Sequence, residues 1–520
     1  VYEDYSNYLP ALPNFKLGTK VVVRNHTPQT RHRVAASLGC HVKGAVLPYP
    51  DVWNSRFVVM GCQKRFAAAV PPTDSALLRQ ARQFVRWWLR HNVVPLPVDS
   101  DLSVQHWLDS THYSLARKAE LLRVSSELRH LTAADYVNKS FAKCENYPDV
   151  KYPRGINSRK DAFKVYTGPI FKAIEEKVYQ NPHFIKHIPV ADRPSYILAN
   201  VEKNNGVFAA TDHSSFEAHF TKEVMKVFEI QLYSYMTVNL PCHDEFMYHV
   251  VSALTETNVC KFKNFTMKVP ACRMSGDMCT SLGNGFTNLM LMLFLTQRKC
   301  NYLPDGVVEG DDGLFGFKDE ADIPTSSDFE KLGFEIKCQK CMSVGSAGFC
   351  GLYFDSAVRE NVADISELLC KFGWTDSHLM MSSDKTMLQL LRAKSFSLAY
   401  ELPYCPVARA LAAYGLRVSD GVAPRFGDRH NKLTWWEAQV LTSVNPDVPR
   451  LSVELPHAQY LLVERLFGWS VSDQIAVEHY LDGLNSIQEL DHPVILAHMK
   501  PIWFVQNKLT EIMRTGENIY

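Results

Sequence analysis

Three kinds of hydrophobic pattern alternate along the chain. From Ser75 to His91, Leu77, Leu78, Phe84, Val85, Trp88 and Leu89 return at helical spacing, while Arg79, Arg82, Arg86 and Arg90 occupy the other face. This predicts an amphipathic helix with a basic stripe. Val207 to Ala210 is a short continuous apolar run, as in a buried strand, and it leads into Thr211 and Asp212. Phe220, Val224, Met225, Phe228, Leu232 and Tyr235 then mark one helical face. The third pattern is apolar on nearly all sides. It spans Leu289 to Leu295, in a helix that runs from the glycine-punctuated loop Arg273–Asn284 to about Gln297, and it predicts a central, buried element.

Between these elements the period shortens. Val307-Val308-Glu309 and Leu314-Phe315-Gly316-Phe317 read as two strands joined at Gly310-Asp311-Asp312-Gly313, where glycine permits a tight turn. Thr325–Leu332 reads as a short helix ended by Gly333, Phe334–Lys337 as a strand, and Phe349–Phe354 as another strand. Beyond residue 355 helical patterns dominate, including Met387–Leu398, Val407–Leu416 and Ala458–Phe467. Residues 1–50 lack periodicity, carry Arg24, Arg31, Arg33 and Lys43, and read as a basic arm. Residues 239–269 loosen into an insert. The fold class expected is mixed α+β.

Composition narrows the picture. With 520 residues, 46% of them hydrophobic, the chain can build two or three lobes with substantial cores. A net charge of +1 excludes a uniformly basic protein, so contacts with nucleic acid must come from local surfaces. Thirteen cysteines without a repeating spacing suit free thiols in a reducing compartment. Cys338 and Cys341 have the spacing of a metal pair, with Cys350 nearby, but no second pair or histidine completes a tetrahedral site. The longest apolar run is too short to span a bilayer. Because the chain starts at Val1 without a signal-peptide pattern, it reads as a piece of something larger, with any membrane anchor outside it.

The candidate chemistry is ionic. Adjacent carboxylates at a turn repel, and either water or a divalent cation held through oxygen ligands relieves them. Asp212 ends an apolar strand, a position where sites gather in sheets backed by helices. Lys151-Tyr152-Pro153-Arg154-Gly155-Ile156-Asn157-Ser158-Arg159-Lys160 is basic and broken by Pro and Gly. In extended backbone, Arg154 and Arg159 offer forked donors to a polyphosphate from successive points. Thr111-His112-Tyr113-Ser114 followed by Arg117-Lys118 places hydroxyls and cations where a phosphate backbone can bind, with Ser114, Arg117 and Lys118 as the contacts.

The order of these pieces resembles the RNA-dependent RNA polymerases of positive-strand RNA viruses. Asp212 and Glu217 match the family's first acidic motif, Ser275-Gly276 with Thr280 and Asn284 match its Ser-Gly loop and helix, and Gly310-Asp311-Asp312 matches its acidic hairpin. Arg273–Asn284 and Phe349-Cys350-Gly351 make the chain most similar to the tombusvirus, nodavirus and related invertebrate-virus group. One departure stands out, since family members usually carry Asp where this chain has Glu217.

The resemblance implies a right-hand fold with fingers, an antiparallel palm sheet backed by helices, and a mostly helical thumb. Fingers would take residues 1–205 including the amino-terminal arm, with an insert at 236–270; palm would take 206–235 and 271–355, and thumb 356–520. It implies two ions, Mg2+ or Mn2+, on Asp212 and Asp311 with Asp312 assisting. It implies Lys151, Arg154, Arg159 and Lys160 on the triphosphate, and Lys337 or Lys340 as the acid that protonates pyrophosphate. Glu217 with Asn284 and either Ser275 or Thr280 would select ribose, and Ser275-Gly276 would help translocate template. The implied partners are RNA template, nascent RNA, ribonucleoside triphosphates and other viral replication proteins. The implied location is host cytoplasm, at a membrane-associated replication complex held through regions outside this chain. The rival readings are a reverse transcriptase, a catalytically silent RNA-binding scaffold and a metal-dependent nuclease; the polar Glu217, in place of an aromatic wall near the 2′ position, favours ribonucleotides.

Overall fold

The computed structural model describes residues 9–24, 33–111, 113–202, 205–354, 356–375, 383–424, 451, 454–508 and 510–513. Arg31 and His112 lie outside the described residues. The chain mixes helices with three sheets of four, five and three strands among the described residues.

The four-stranded sheet is antiparallel, in the spatial order Ile336–Cys341, Val207–His213, Asp312–Phe317, Asp305–Glu309. Successive residues of its strands face opposite cores, as the period of two dictates. Ala209, Val308 and Phe315 face a large cluster that contains the helix Thr280–Cys300, whereas Phe208, Val307 and Leu314 face a smaller one with Ile185 and Phe349. Every residue of that helix from Leu282 to Thr296 is buried, as its all-round apolar pattern predicts. The helix Ser75–Asn92 packs beside it, with Trp88 on Phe286 and Phe84 on Phe294, and its arginines stay in solvent.

The five-stranded sheet runs in the order Lys20–Val23, Phe265–Val269, Asn258–Lys261, Asn138–Ala142, Gly155–Arg159. The insert at 239–269 is therefore structured: it supplies the helix His243–Thr255 and two central strands of the sheet whose edge is the basic segment.

Two expectations need correction. Residues 36–47 are no arm, because Ala36, Leu38, Cys40, Val42, Ala45 and Leu47 are buried in the core of the carboxy-terminal helical lobe. There Arg33–Ser37 forms the middle strand of a small sheet with Trp374–Thr375 and Thr510–Met513. Phe349–Phe354 is not a strand either. It is a tight turn, closed by mutual hydrogen bonds between Phe349 and Leu352, with Cys350 and Gly351 both at positive φ. The helical lobe is built from elements such as Asp384–Glu401, Ala408–Val418 and His457–Phe467, close to their sequence expectations. Among the described residues no helix is long and apolar enough to cross a membrane.

Candidate active site

Strand pairing joins what sequence spacing separates. Thr211 lies opposite Gly313 in the antiparallel register, so Asp212 and Asp312, each one residue further toward the same end, are neighbours. The approach is close enough that a Cβ on Gly313 would stand 2.6 Å from the Thr211 Oγ1. Gly310 turns the hairpin at a φ of +61°, and Asp311 and Asp312 remain exposed beyond it. Although the residue is open to solvent, protein packed around the Asp312 carboxyl strips part of its hydration, and this, then the charge of Asp311, push it up to about 6. The nearby Cys350 thiol, which donates to Glu309 Oε2 at 3.8 Å, opposes the shift, and the charges of Asp212 and Glu309 add to it. Arg193 takes the charge of Glu309 at 2.7 Å, and none of the three aspartates has an ion pair within 4.0 Å among the described residues.

Such a donor set, all oxygen and mutually repelling, fits a hard divalent cation such as Mg2+ or Mn2+. Among the described residues, no three His, Cys, Asp or Glu side chains converge as a ready-made cage. The fit therefore rests on the electrostatics of the acids and the chemistry of their oxygens.

The strand Ile336–Cys341 separates the two candidate lysines. Lys337 pairs directly with Asp212 across the ladder and shares its face of the sheet, whereas Lys340 stands opposite Ala209 and forms an ion pair with Glu320. Of the two, Lys337 is the one opposite Asp212.

Asn288 was not singled out from sequence, yet it ties the two acidic strands together. Its Nδ2 donates to the Asp311 carbonyl at 3.0 Å, and its Oδ1 accepts from His213 Nε2 at 3.1 Å. Burial lowers His213 to about 4, so the ring is neutral near pH 7 and its proton sits on Nε2. The signal available in sequence was a polar residue in the middle of a helix with no polar face.

The Ser-Gly loop docks on the basic strand. Gly276 donates its N–H to the Asn157 carbonyl at 2.9 Å, and a Cβ on Gly276 would lie 2.5 Å from that oxygen. Ser275 Oγ makes only long contacts of 3.4 Å, with Gly155 O and Asn157 N. Thr280 Oγ1 is engaged by the Met274 and Asp277 carbonyls at 3.0 and 2.9 Å, so Ser275 is the less committed hydroxyl. Asn284 Oδ1 accepts from Arg273 Nε at 3.0 Å, which leaves its amide as a donor. Arg273 is fully buried, paired with Glu229 and seated 4.4 Å from the Phe220 ring.

Arg159 is placed differently from the other basic-segment residues. It is buried, bonds to Asp277 at 2.7 and 3.2 Å, and donates to Tyr136 O and Asn258 Oδ1. Its donors are spent inside the protein, so it positions the loop that carries Ser275 and Gly276. Arg154 is half-buried beside Glu145 at 3.5 Å, while Lys151 and Lys160 are exposed.

Glu217 is buried and its carboxylate pairs with Arg65, the last residue of the helix Ser55–Arg65. Its carbonyl accepts from Arg273 N at 2.9 Å, which links it to Asn284 through Arg273. Lys16 steadies the same turn through the Ala218 and Ala271 carbonyls at 2.7 and 3.0 Å. Neither Arg65 nor Lys16 has a local sequence signal, since each acts across a long separation.

The Ser114 hydroxyl caps the helix Leu115–Glu127 by accepting from Arg117 N at 3.2 Å. The Arg117 guanidinium is bound to Glu120 and Asp161. Lys118 is half-buried and has no ion pair among the described residues. Within this group, Ser114 and Arg117 have internal partners that account for their positions.

A family model described as RNA dependent RNA polymerase matches residues 58–392. A protein of Pothos latent virus (isolate Pigeonpea/India) named "RNA-directed RNA polymerase" is 26% identical over 265 residues. The match covers 46% of this chain and 34% of that protein, so the chain aligns with about a third of its relative's length.

Proposed function

The chain belongs to the RNA dependent RNA polymerase family, and from that premise we propose that it synthesises RNA on an RNA template, joining ribonucleoside triphosphates to an RNA 3′-hydroxyl. The single observation that carries the reading is the meeting of Asp212 with the Asp311-Asp312 hairpin on adjacent strands, with Lys337 on the same face. When bound there, two divalent cations would lower the pKa of the attacking hydroxyl and hold the triphosphate and leaving pyrophosphate. Asp212 and Asp311 would be their ligands, and Asp312 an assistant whose charged form is disfavoured without a cation.

The chain's own groups supply the rest. Lys337 protonates the departing pyrophosphate, a step for which a positioned acid contributes about 10²–10⁴-fold. Lys151, Arg154 and Lys160 draw the triphosphate into the cleft, and Arg159 reaches it only through the loop it braces. Ser275 and Asn284 meet the ribose, with Glu217 held beside them by Arg65. A site built to bond a 2′-hydroxyl leaves buried polar groups unmet with a deoxynucleotide, which disfavours the reverse-transcriptase reading. The retention of all three aspartates disfavours a silent scaffold. In this reading the four-stranded sheet is the palm, the five-stranded sheet belongs to the fingers, and the helical lobe is the thumb. The buried segment 36–47 then runs from the fingers side into the thumb.

The test is incorporation by purified protein given an RNA template, four ribonucleotides and Mg2+ or Mn2+. Labelled RNA should lengthen with the parent and stay unchanged with Asp311→Asn. Identical behaviour of the two proteins sinks the proposal, and shortening of the RNA indicates a nuclease.

A further inference from the structure

The five-stranded sheet has one face that the active-site argument does not use. Its buried face, with Cys260, Phe265, Met267 and Val269, packs on Cys272 and Met274 of the segment leading into the Ser-Gly loop. The opposite face lies across the sheet from the segment that leads into the Ser-Gly loop.

Register assigns that outer face residue by residue. Lys20 lies directly opposite Lys268, and Lys139 directly opposite Lys261. All four lysines are exposed, and none has an ion pair among the described residues. No strand of this sheet contains an acidic residue. Like charges placed directly opposite each other on a sheet destabilise it. A face that concentrates them twice is suited to a polyanion.

The same face carries apolar surface. Phe141, on the strand of Lys139, is 52% exposed, and at the end of the sheet, by the turn Phe262–Phe265, it lines an open cavity of about 380 Å3 together with Trp53, 56% exposed, Phe262 and Lys263. Lysines across a sheet face with aromatic rings at its end are what an unpaired nucleic-acid strand requires, cations for phosphates and rings for bases. A membrane surface would meet the lysines but has no use for a cavity walled by rings.

We infer that this outer face of the five-stranded sheet is a second RNA-binding surface that holds single-stranded RNA outside the catalytic cleft. Phosphates lie along the Lys20–Lys268 and Lys139–Lys261 pairs, and a base enters the cavity between Trp53 and Phe141. The inference rests on the proposed function for the identity of the ligand but on none of its catalytic residues.

The test is binding of a short fluorescent single-stranded RNA by the full chain across a salt series, comparing the parent with Lys139→Ala/Lys261→Ala and with Phe141→Ala. The double variant should bind about tenfold more weakly at moderate salt, with the slope of log affinity against log salt smaller by about 1.4. Phe141→Ala should lose about fivefold or more with the slope unchanged. Lys139→Arg/Lys261→Arg should bind as the parent does. Since the alanine variant removes a like-charge pair, its thermal midpoint should not fall, and a lowered midpoint with arginine rescue still reads out the charge. Unchanged RNA affinity and slope in the alanine variant overturn the inference, as does loss of binding to phosphatidylserine vesicles with RNA binding intact. Incorporation on a primed template too short to leave the cleft is measured alongside. Lysine-dependent RNA binding without incorporation by the parent would sink the catalytic reading alone.

Discussion

Lys337 stands directly opposite Asp212 on the neighbouring antiparallel strand, and the two side chains share one face of the sheet. An ordinary cross-strand pair of this kind is worth little in water. Here it sets a cation beside the carboxylate that, with the hairpin, forms the centre of the site. The two lysines of this strand are three positions apart, and only Lys337 shares the face of Asp212.

Replacing Lys337 with Ala should lower the single-turnover rate of nucleotide addition by about 10²–10³-fold, within the range for a lost general acid, with template binding retained. Lys340→Ala should change it less than about twofold, because an exposed pair with Glu320 contributes little. Equal effects of the two substitutions would remove Lys337 from the chemistry.

Arg159 and Asp277 form a buried pair, and breaking one partner leaves the other charge stranded. Arg159→Ala or Asp277→Ala should each cost about 3–5 kcal/mol of stability in denaturant titration. The double substitution should cost much less than their sum, since both remove one interaction. A change in KM for nucleotide with stability intact would instead make Arg159 a direct triphosphate ligand.

The sequence disclosed elements whose information is local and hid those whose partners are distant. The helix Thr280–Cys300 was legible because an element without a polar side has only one place to go, and the hairpin because glycine and aspartate define its turn. The Ser-Gly loop was legible as a loop, but its dependence on Arg159 was not, because Asp277 lies 118 residues from that arginine. Residues 36–47 carry no periodicity, so their burial in the helical lobe left no trace in the pattern. The turn at Phe349–Leu352 was misread because Cys350 takes a positive φ, which a non-glycine residue seldom does.

The Asp312 carboxyl, raised to about 6 from an ordinary value of 3.8, makes a signed prediction for metal-free protein. Between those two values the folded state holds more protons at this position than the unfolded state. Stability contributed here is therefore present at low pH and lost as pH rises toward 6. Asp312→Asn should remove that loss, so its thermal midpoint relative to the parent should climb as pH rises from about 4 to 7. Added Mg2+ should narrow the difference at neutral pH by stabilising the parent. A constant difference across pH would show that Asp312 ionises without penalty.

A methyl group at Gly276 would meet the Asn157 carbonyl at 2.5 Å, a backbone oxygen that cannot swing aside as a side chain would. Gly276→Ala should therefore displace the Ser-Gly loop from the strand Gly155–Arg159 and slow elongation more than it weakens template binding. Amide exchange of Gly276 and its neighbours should rise in the same variant. Wild-type exchange rates in an inactive variant would place the defect elsewhere.

Asn288 holds the hairpin through a backbone carbonyl, and among the described residues neither of its side-chain hydrogen bonds goes to an acid side chain. Asn288→Leu keeps the branching at Cγ in a larger side chain and removes both hydrogen bonds, leaving the Asp311 carbonyl and the His213 Nε2–H without their partner. Two unmet polar groups in a buried setting cost about 1–3 kcal/mol each, and part of that strain should appear as movement of Asp311 relative to Asp212. Activity should fall at least about tenfold, and the concentration of Mg2+ or Mn2+ needed for half-maximal rate should rise, since the carboxylates no longer hold their separation. Asn288→Asp keeps only an acceptor for His213 and should fall between the two. If stability drops while the metal requirement stays at its wild-type value, Asn288 serves the core alone and the acidic strands are aligned by their ladder.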